Sequence, residues 1–114
     1  MTRKGILSEK EALDIFVDIL KGMQYLQKFG IIHRDIKPGN ILYNGKNWKI
    51  ADFGFSLESK EEVKTRNNVG TPLYMPLESL EKNLYSAESD IFSVGVVLYE
   101  LLVGITPWEC RNEE

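Results

Sequence analysis

The chain is 114 residues long, 43% hydrophobic, and carries 14 basic against 17 acidic side chains for a formal net charge of −3. That balance offers no basic patch for nucleic acid. The lone Cys110 excludes an internal disulfide, and residues 1–5 have positive charge but no long apolar stretch behind it, so they are not a secretory signal; a reducing compartment, cytoplasm or nucleus, is the expectation.

Ser8-Glu9-Lys10-Glu11 is a capping box and opens a helix. Ala12, Phe16, Ile19, Met23 and Leu26 then recur at spacings of four and three, with Leu13 and Leu20 widening the stripe, until Gly30 offers a stop. A stripe of this kind is core packing. Ile31-Ile32 leads into His33-Arg34-Asp35-Ile36-Lys37-Pro38-Gly39-Asn40. Ile41-Leu42-Tyr43 and Trp48-Lys49-Ile50 flank Asn44-Gly45-Lys46-Asn47 and read as a short hairpin. The hairpin sets Asn40 at its entrance and, in Asp52-Phe53-Gly54, Asp52 at its exit, so that two residues 12 apart in sequence can face one metal site. Residues 58–68 are almost wholly polar without a sustained apolar period and read as a mobile loop.

A second helix is predicted from near Asp90 through Leu102, ended by Gly104 and Pro107. It is apolar nearly all round, which predicts burial. It is not a membrane span, because a span needs about 20 apolar residues and this run is shorter and carries Ser93 and Glu100. No repeat, low-complexity tract or linker divides residues 1–114, and the elements place them in the α+β class as one unit.

The run from His33 to Asn40, followed by Asp52-Phe53-Gly54, closely resembles the eukaryotic protein-kinase family, and nearly the whole chain is covered by the likeness. Lys37 within its motif and Gly70-Thr71-Pro72-Leu73-Tyr74-Met75 resemble the serine/threonine type. The resemblance implies a mainly helical C-lobe piece whose hairpin carries the catalytic and metal-binding loops. It implies that Asp35 orients or accepts the proton of a protein Ser or Thr hydroxyl, and that Lys37 sets positive charge near the γ-phosphate of ATP. Asn40 and Asp52 would hold magnesium, which takes a few hard oxygen ligands and draws the rest from phosphates and water. Leu42 would supply one wall of the adenine pocket. Thr71 would hydrogen-bond toward Asp35 and Lys37, His33 would pack against Phe53, and Asp90 would receive the backbone of the His33-Arg34 turn. By the same resemblance the activation segment lies between Asp52 and Glu78, and a phosphate on Thr65 or Ser59 would order it by pairing with Arg34, with Thr65 preferred; an unmodified solvated loop is the alternative.

Two departures accompany the likeness. Pro76-Leu77-Glu78 stands where the family has Ala-Pro-Glu, and the arginine that usually pairs with that glutamate falls beyond these residues. No Gly-rich phosphate loop, ATP-contacting lysine or glutamate-bearing regulatory helix occurs in the 114 residues. The expectation is therefore a partial kinase domain that needs the remainder of the domain in cis, with the isolated 114 residues inactive. The competing function is a truncated, non-catalytic kinase-like binding module; a small-molecule phosphotransferase is a more distant one.

Overall fold

A computed structural model describes residues 8–104. Ser8 opens α1 (Glu9–Lys28), its hydroxyl accepting the Glu11 amide at 3.1 Å while the Glu11 carboxylate accepts the Ser8 amide at 2.9 Å. The Ser8 amide, and after it the Ser8 hydroxyl, hold the Glu11 carboxyl below its ordinary value. Ala12, Ile15, Ile19, Met23 and Leu26 form the buried stripe. Leu13 and Leu20, expected to widen it, are exposed, and Ile15 takes their place. Each leucine follows a stripe residue by one position, which turns it about 100° away around the helix. Gly30, at φ +65, ends the helix in the left-handed region that glycine tolerates.

Among the described residues six short strands pair antiparallel in three two-stranded sheets: β1 (Ile31–Ile32) with β4 (Leu57–Glu58), β2 (Ile41–Tyr43) with β3 (Trp48–Ile50), and β5 (Val63–Lys64) with β6 (Leu84–Tyr85). The β2–β3 hairpin has the predicted strands, in the register Ile41 to Ile50, Leu42 to Lys49 and Tyr43 to Trp48. It lies on α1, where the Trp48 amide donates to Asp18 at 2.9 Å and a Cβ at Gly22 would stand only 3.1 Å from Ile50. The polar stretch 58–68, expected as a mobile loop, instead contains β5, which pairs Val63 with Tyr85 and Lys64 with Leu84. Backbone pairing to a distant strand orders it where side-chain pattern gives no sign.

A short helix, α2 (Leu77–Lys82), follows and ends on Asn83 in the left-handed region at φ 55. A third helix, α3 (Ala87–Val103), begins three residues before Asp90, because Ser86 and Ser89 form a reciprocal cap there. Gly104 closes it at φ 94; Pro107 lies outside the described residues, as does Cys110. Val94, Val96, Val97 and Leu101 join the α1 stripe, Ile36, Ile41 and Tyr74 in the main core. The opposite side of α3 is not covered as its apolar composition predicts: Ile91, Tyr99, Leu102 and Val103 are exposed. A smaller cluster of Ile32, Met75 and Tyr85 packs with Val63 and Val69. Among the described residues no helix is long and apolar enough to cross a membrane.

Candidate active site

The loop that leaves β1 is fastened first through His33, whose side chain is fully buried. Its Nδ1 accepts the Asp35 amide proton at 3.1 Å, and its Nε2 lies 2.8 Å from the Ala51 carbonyl oxygen. The first bond keeps Nδ1 unprotonated, so the ring proton sits on Nε2 and points at Ala51. Both nitrogens are used inside the fold, which leaves neither for proton transfer with a substrate. The ring meets Phe53 edge-on with centroids 4.8 Å apart, the contact expected of this pair.

Arg34 adopts φ 75, uncommon for a long side chain. The amides of His33 and Arg34 converge on one carboxylate, donating to Asp90 at 2.7 and 3.1 Å. Asp90 is 2% exposed. Burial raises its carboxyl above the ordinary value, and the two N–H bonds, which favour the charged form, oppose that shift without cancelling it. Asp90 is thus a buried anchor for the loop and not a surface carboxylate at a helix end.

Asp35 is held from two segments. Its Oδ1 accepts the Thr71 hydroxyl at 2.9 Å, and its Oδ2 lies 3.8 Å from Lys37 Nζ. Asn40 Nδ2 donates to the Asp35 carbonyl at 2.8 Å and approaches Oδ2 at 3.4 Å. An ion pair this long adds little to stability. Its effect is placement: a cation and a carboxylate share one edge of the loop, with the carboxylate fixed in orientation.

With its nitrogen turned to Asp35, Asn40 presents an Oδ1 that has no hydrogen-bond partner among the described residues, although the residue is buried. The Ala51 amide donates to the Asn40 carbonyl at 2.7 Å, continuing the β2–β3 ladder by one pair and setting Asp52 immediately beyond it. Asp52 is exposed, sits at φ 58 and accepts only a long 3.4 Å contact from the Gly54 amide. An orphaned amide oxygen and an uncommitted carboxylate are hard oxygen donors that fit magnesium.

The other predicted residues are scattered more widely. Leu42 is exposed on β2 at 54%. Thr65 donates its hydroxyl to the Asn67 carbonyl at 2.8 Å, and no bond joins it to Arg34. Arg34 instead donates from Nε to the Phe55 carbonyl at 2.8 Å and lays its guanidinium over the Tyr85 ring, 4.8 Å from the centroid. Glu78 is exposed on the first turn of α2. Two features escaped the sequence reading. Tyr74 hydrogen-bonds Glu100, and burial together with that bond pushes its phenol well above the ordinary range. Tyr85 reaches both Arg34 and Val69, with no local pattern to announce it.

The family description "protein kinase domain" matches residues 1–114. The chain is 43% identical over 112 residues to a probable serine/threonine-protein kinase, gdt9, of Dictyostelium discoideum, covering 92% of this chain and 7% of that protein. It is 39% identical over 114 residues to the serine/threonine protein kinase OSK3 of Oryza sativa, subspecies indica and japonica alike, covering 98% of this chain and 22% of the rice protein. The chain therefore spans less than a quarter of the length of these relatives.

Proposed function

Because the chain belongs to the protein kinase family, we propose that it carries the catalytic loop and activation segment of a serine/threonine protein kinase, which moves the γ-phosphoryl group of ATP to a protein Ser or Thr hydroxyl. The observation that carries this reading is the grip on Asp35. One carboxylate oxygen is committed to Thr71 and the other lies beside Lys37. A carboxylate so fixed can orient an incoming hydroxyl and accept its proton, while Lys37 places positive charge where the transferring group's charge spreads.

Magnesium, when bound, supplies the charge that neutralises the phosphates, and the unpartnered Asn40 Oδ1 and the Asp52 carboxylate are the groups that would hold it. Leu42, exposed on β2, is assigned to one wall of the adenine pocket. Thr71 shapes the pocket for the residue after the phosphoacceptor. Thr65 is assigned as the modified hydroxyl of the segment: it directly follows β5, whose Val63 pairs with the Tyr85 on which Arg34 lies.

We place residues 9–103 in the helical C-lobe, with the rest of the kinase domain supplied in cis. An apolar groove of about 350 Å³ between α1 and α3, lined by Phe16, Leu20, Met23, Ile31, Ile91 and Val94, suits cover by such a partner surface. The same groove favours the second reading, a non-catalytic binding module. A peptide-phosphorylation assay with magnesium ATP, run on the complete kinase domain beside Asp35→Asn, separates the two. Activity lost in the variant supports the enzyme; equal activity in both removes the role given to Asp35, and none in the wild type leaves the binding module.

A further inference from the structure

Residues 69–71 run alongside the backbone of Arg34 and Asp35. At one end Thr71 bonds Asp35 at 2.9 Å. In the middle, Gly70 at φ +107 comes so close that a Cβ there would stand 2.5 Å from the Arg34 carbonyl oxygen. At the other end the Tyr85 hydroxyl accepts the Val69 amide proton at 3.0 Å and donates to the Val69 carbonyl at 3.0 Å. The same Tyr85, 2% exposed, puts its ring under the Arg34 guanidinium. One side chain thus touches both of the segments whose spacing sets the Thr71–Asp35 bond.

We propose that Tyr85 is a positioning residue for the phosphoacceptor: its hydroxyl fixes Val69 and its ring fixes Arg34, and together they hold Thr71 on Asp35. The inference rests on the kinase reading above, since Asp35 and Thr71 take their roles from it. A hydroxyl that bonds both backbone groups of one residue fixes that residue's position, because at half-buried Val69 either group left unpaired carries part of its desolvation cost. The guanidinium–ring contact adds a second attachment of a different kind, which survives loss of the hydroxyl. Tyr85 touches neither substrate nor nucleotide in this scheme and acts through Thr71.

Tyr85→Phe in the complete kinase domain is the test, because it keeps the ring and removes only the hydroxyl. We expect KM for a peptide substrate to rise and kcat/KM to fall by about three- to tenfold, the effect of one neutral hydrogen bond, with KM for ATP unchanged. A mere loss of folded enzyme would lower kcat and leave both KM values as they were. In a cycle with Thr71→Val, the second substitution should add little to the first, whereas independent effects multiply. An unchanged peptide KM, or multiplying effects, overturns the inference while leaving the kinase reading intact. A wild type without kinase activity sinks that reading instead, and amide exchange then decides: Val69 must be protected relative to Asn67 in the wild type and exchange faster in Tyr85→Phe. Equal exchange at Val69 and Asn67 in the wild type refutes the clamp even if the variant does not fold.

Discussion

Thr71 donates its hydroxyl proton to Oδ1 of Asp35 over 2.9 Å, although 36 positions separate the two in the chain. A hydrogen bond to a charged acceptor is worth roughly 1.5–3 kcal/mol, and here it fixes which carboxylate oxygen remains open. Thr71→Val is therefore expected to lower peptide turnover about tenfold or more. Thr71→Ser, which keeps the hydroxyl, should stay within a few-fold of wild type. Steady-state kinetics with peptide varied at saturating magnesium ATP reads both.

Asp35 and Asp52 should fail differently. Removing a positioned proton acceptor costs roughly 10²- to 10⁴-fold in rate, so Asp35→Asn should lose turnover by that order while nucleotide affinity changes little. Asp52→Asn removes the carboxylate proposed to hold magnesium and should abolish magnesium-dependent transfer and weaken nucleotide binding in the presence of the metal. Calorimetric titration with magnesium ATP, set beside turnover, distinguishes the two patterns; wild-type turnover in either variant contradicts the assigned role.

Asp90 makes a prediction about stability. Asp90→Ala strands the buried amide of His33 and the half-buried amide of Arg34, at a cost of about 3 kcal/mol. Asp90→Asn keeps one acceptor and should cost about half that. The folded-state carboxyl is raised by burial, so the native state binds its proton more readily than the unfolded state does. Stability from this group is greatest below the ordinary aspartate value and is lost as pH rises through the raised one. The wild type should accordingly gain on Asp90→Asn as pH is lowered through that window, a trend readable from urea midpoints at a series of acidic pH values.

Arg34 already has a carbonyl and an aromatic ring as partners without any phosphate. Arg34→Ala should therefore reduce basal peptide turnover severalfold even in protein shown by mass spectrometry to be unphosphorylated. Thr65→Ala, which removes one exposed bond to Asn67, should leave that basal rate within about twofold and should abolish any increase that follows phosphorylation of the segment. An Arg34→Ala protein with unchanged basal rate would show that the ring and carbonyl contacts carry no function.

What the sequence announced, and what it withheld, follows from how far each signal reaches. The α1 cap and stripe and the β2–β3 hairpin were legible because each is written within a few residues: Ser8 with Glu11, or two three-residue strands about a Gly-containing turn. The β5–β6 pair was not, since a two-residue strand has no period and its partner lies across α2. Leu13 and Leu20 lie outside the buried stripe, and the sequence does not show it because a stripe widened by one position cannot be told from one that turns. At the site, the roles given to Asp35, Asn40, Asp52 and Thr71 came from a motif resemblance, and the structure adds the bonds among Asp35, Asn40 and Thr71. The partners of Arg34 had no such signal, being a main-chain carbonyl and a lone tyrosine from other segments.

The backbone at Asp52 bears on how its chemistry can be probed. At φ 58 the residue occupies a region that asparagine and aspartate enter more readily than other side chains do. Asparagine therefore takes the place of Asp52 without altering what the chain must do to pass through it, and the substitution subtracts charge alone. Alanine would mix that subtraction with a conformational penalty of about 1 kcal/mol, and glycine would loosen the very turn that aims the carboxylate. Of the common replacements, only the amide lets a lost activity be traced to the missing negative charge.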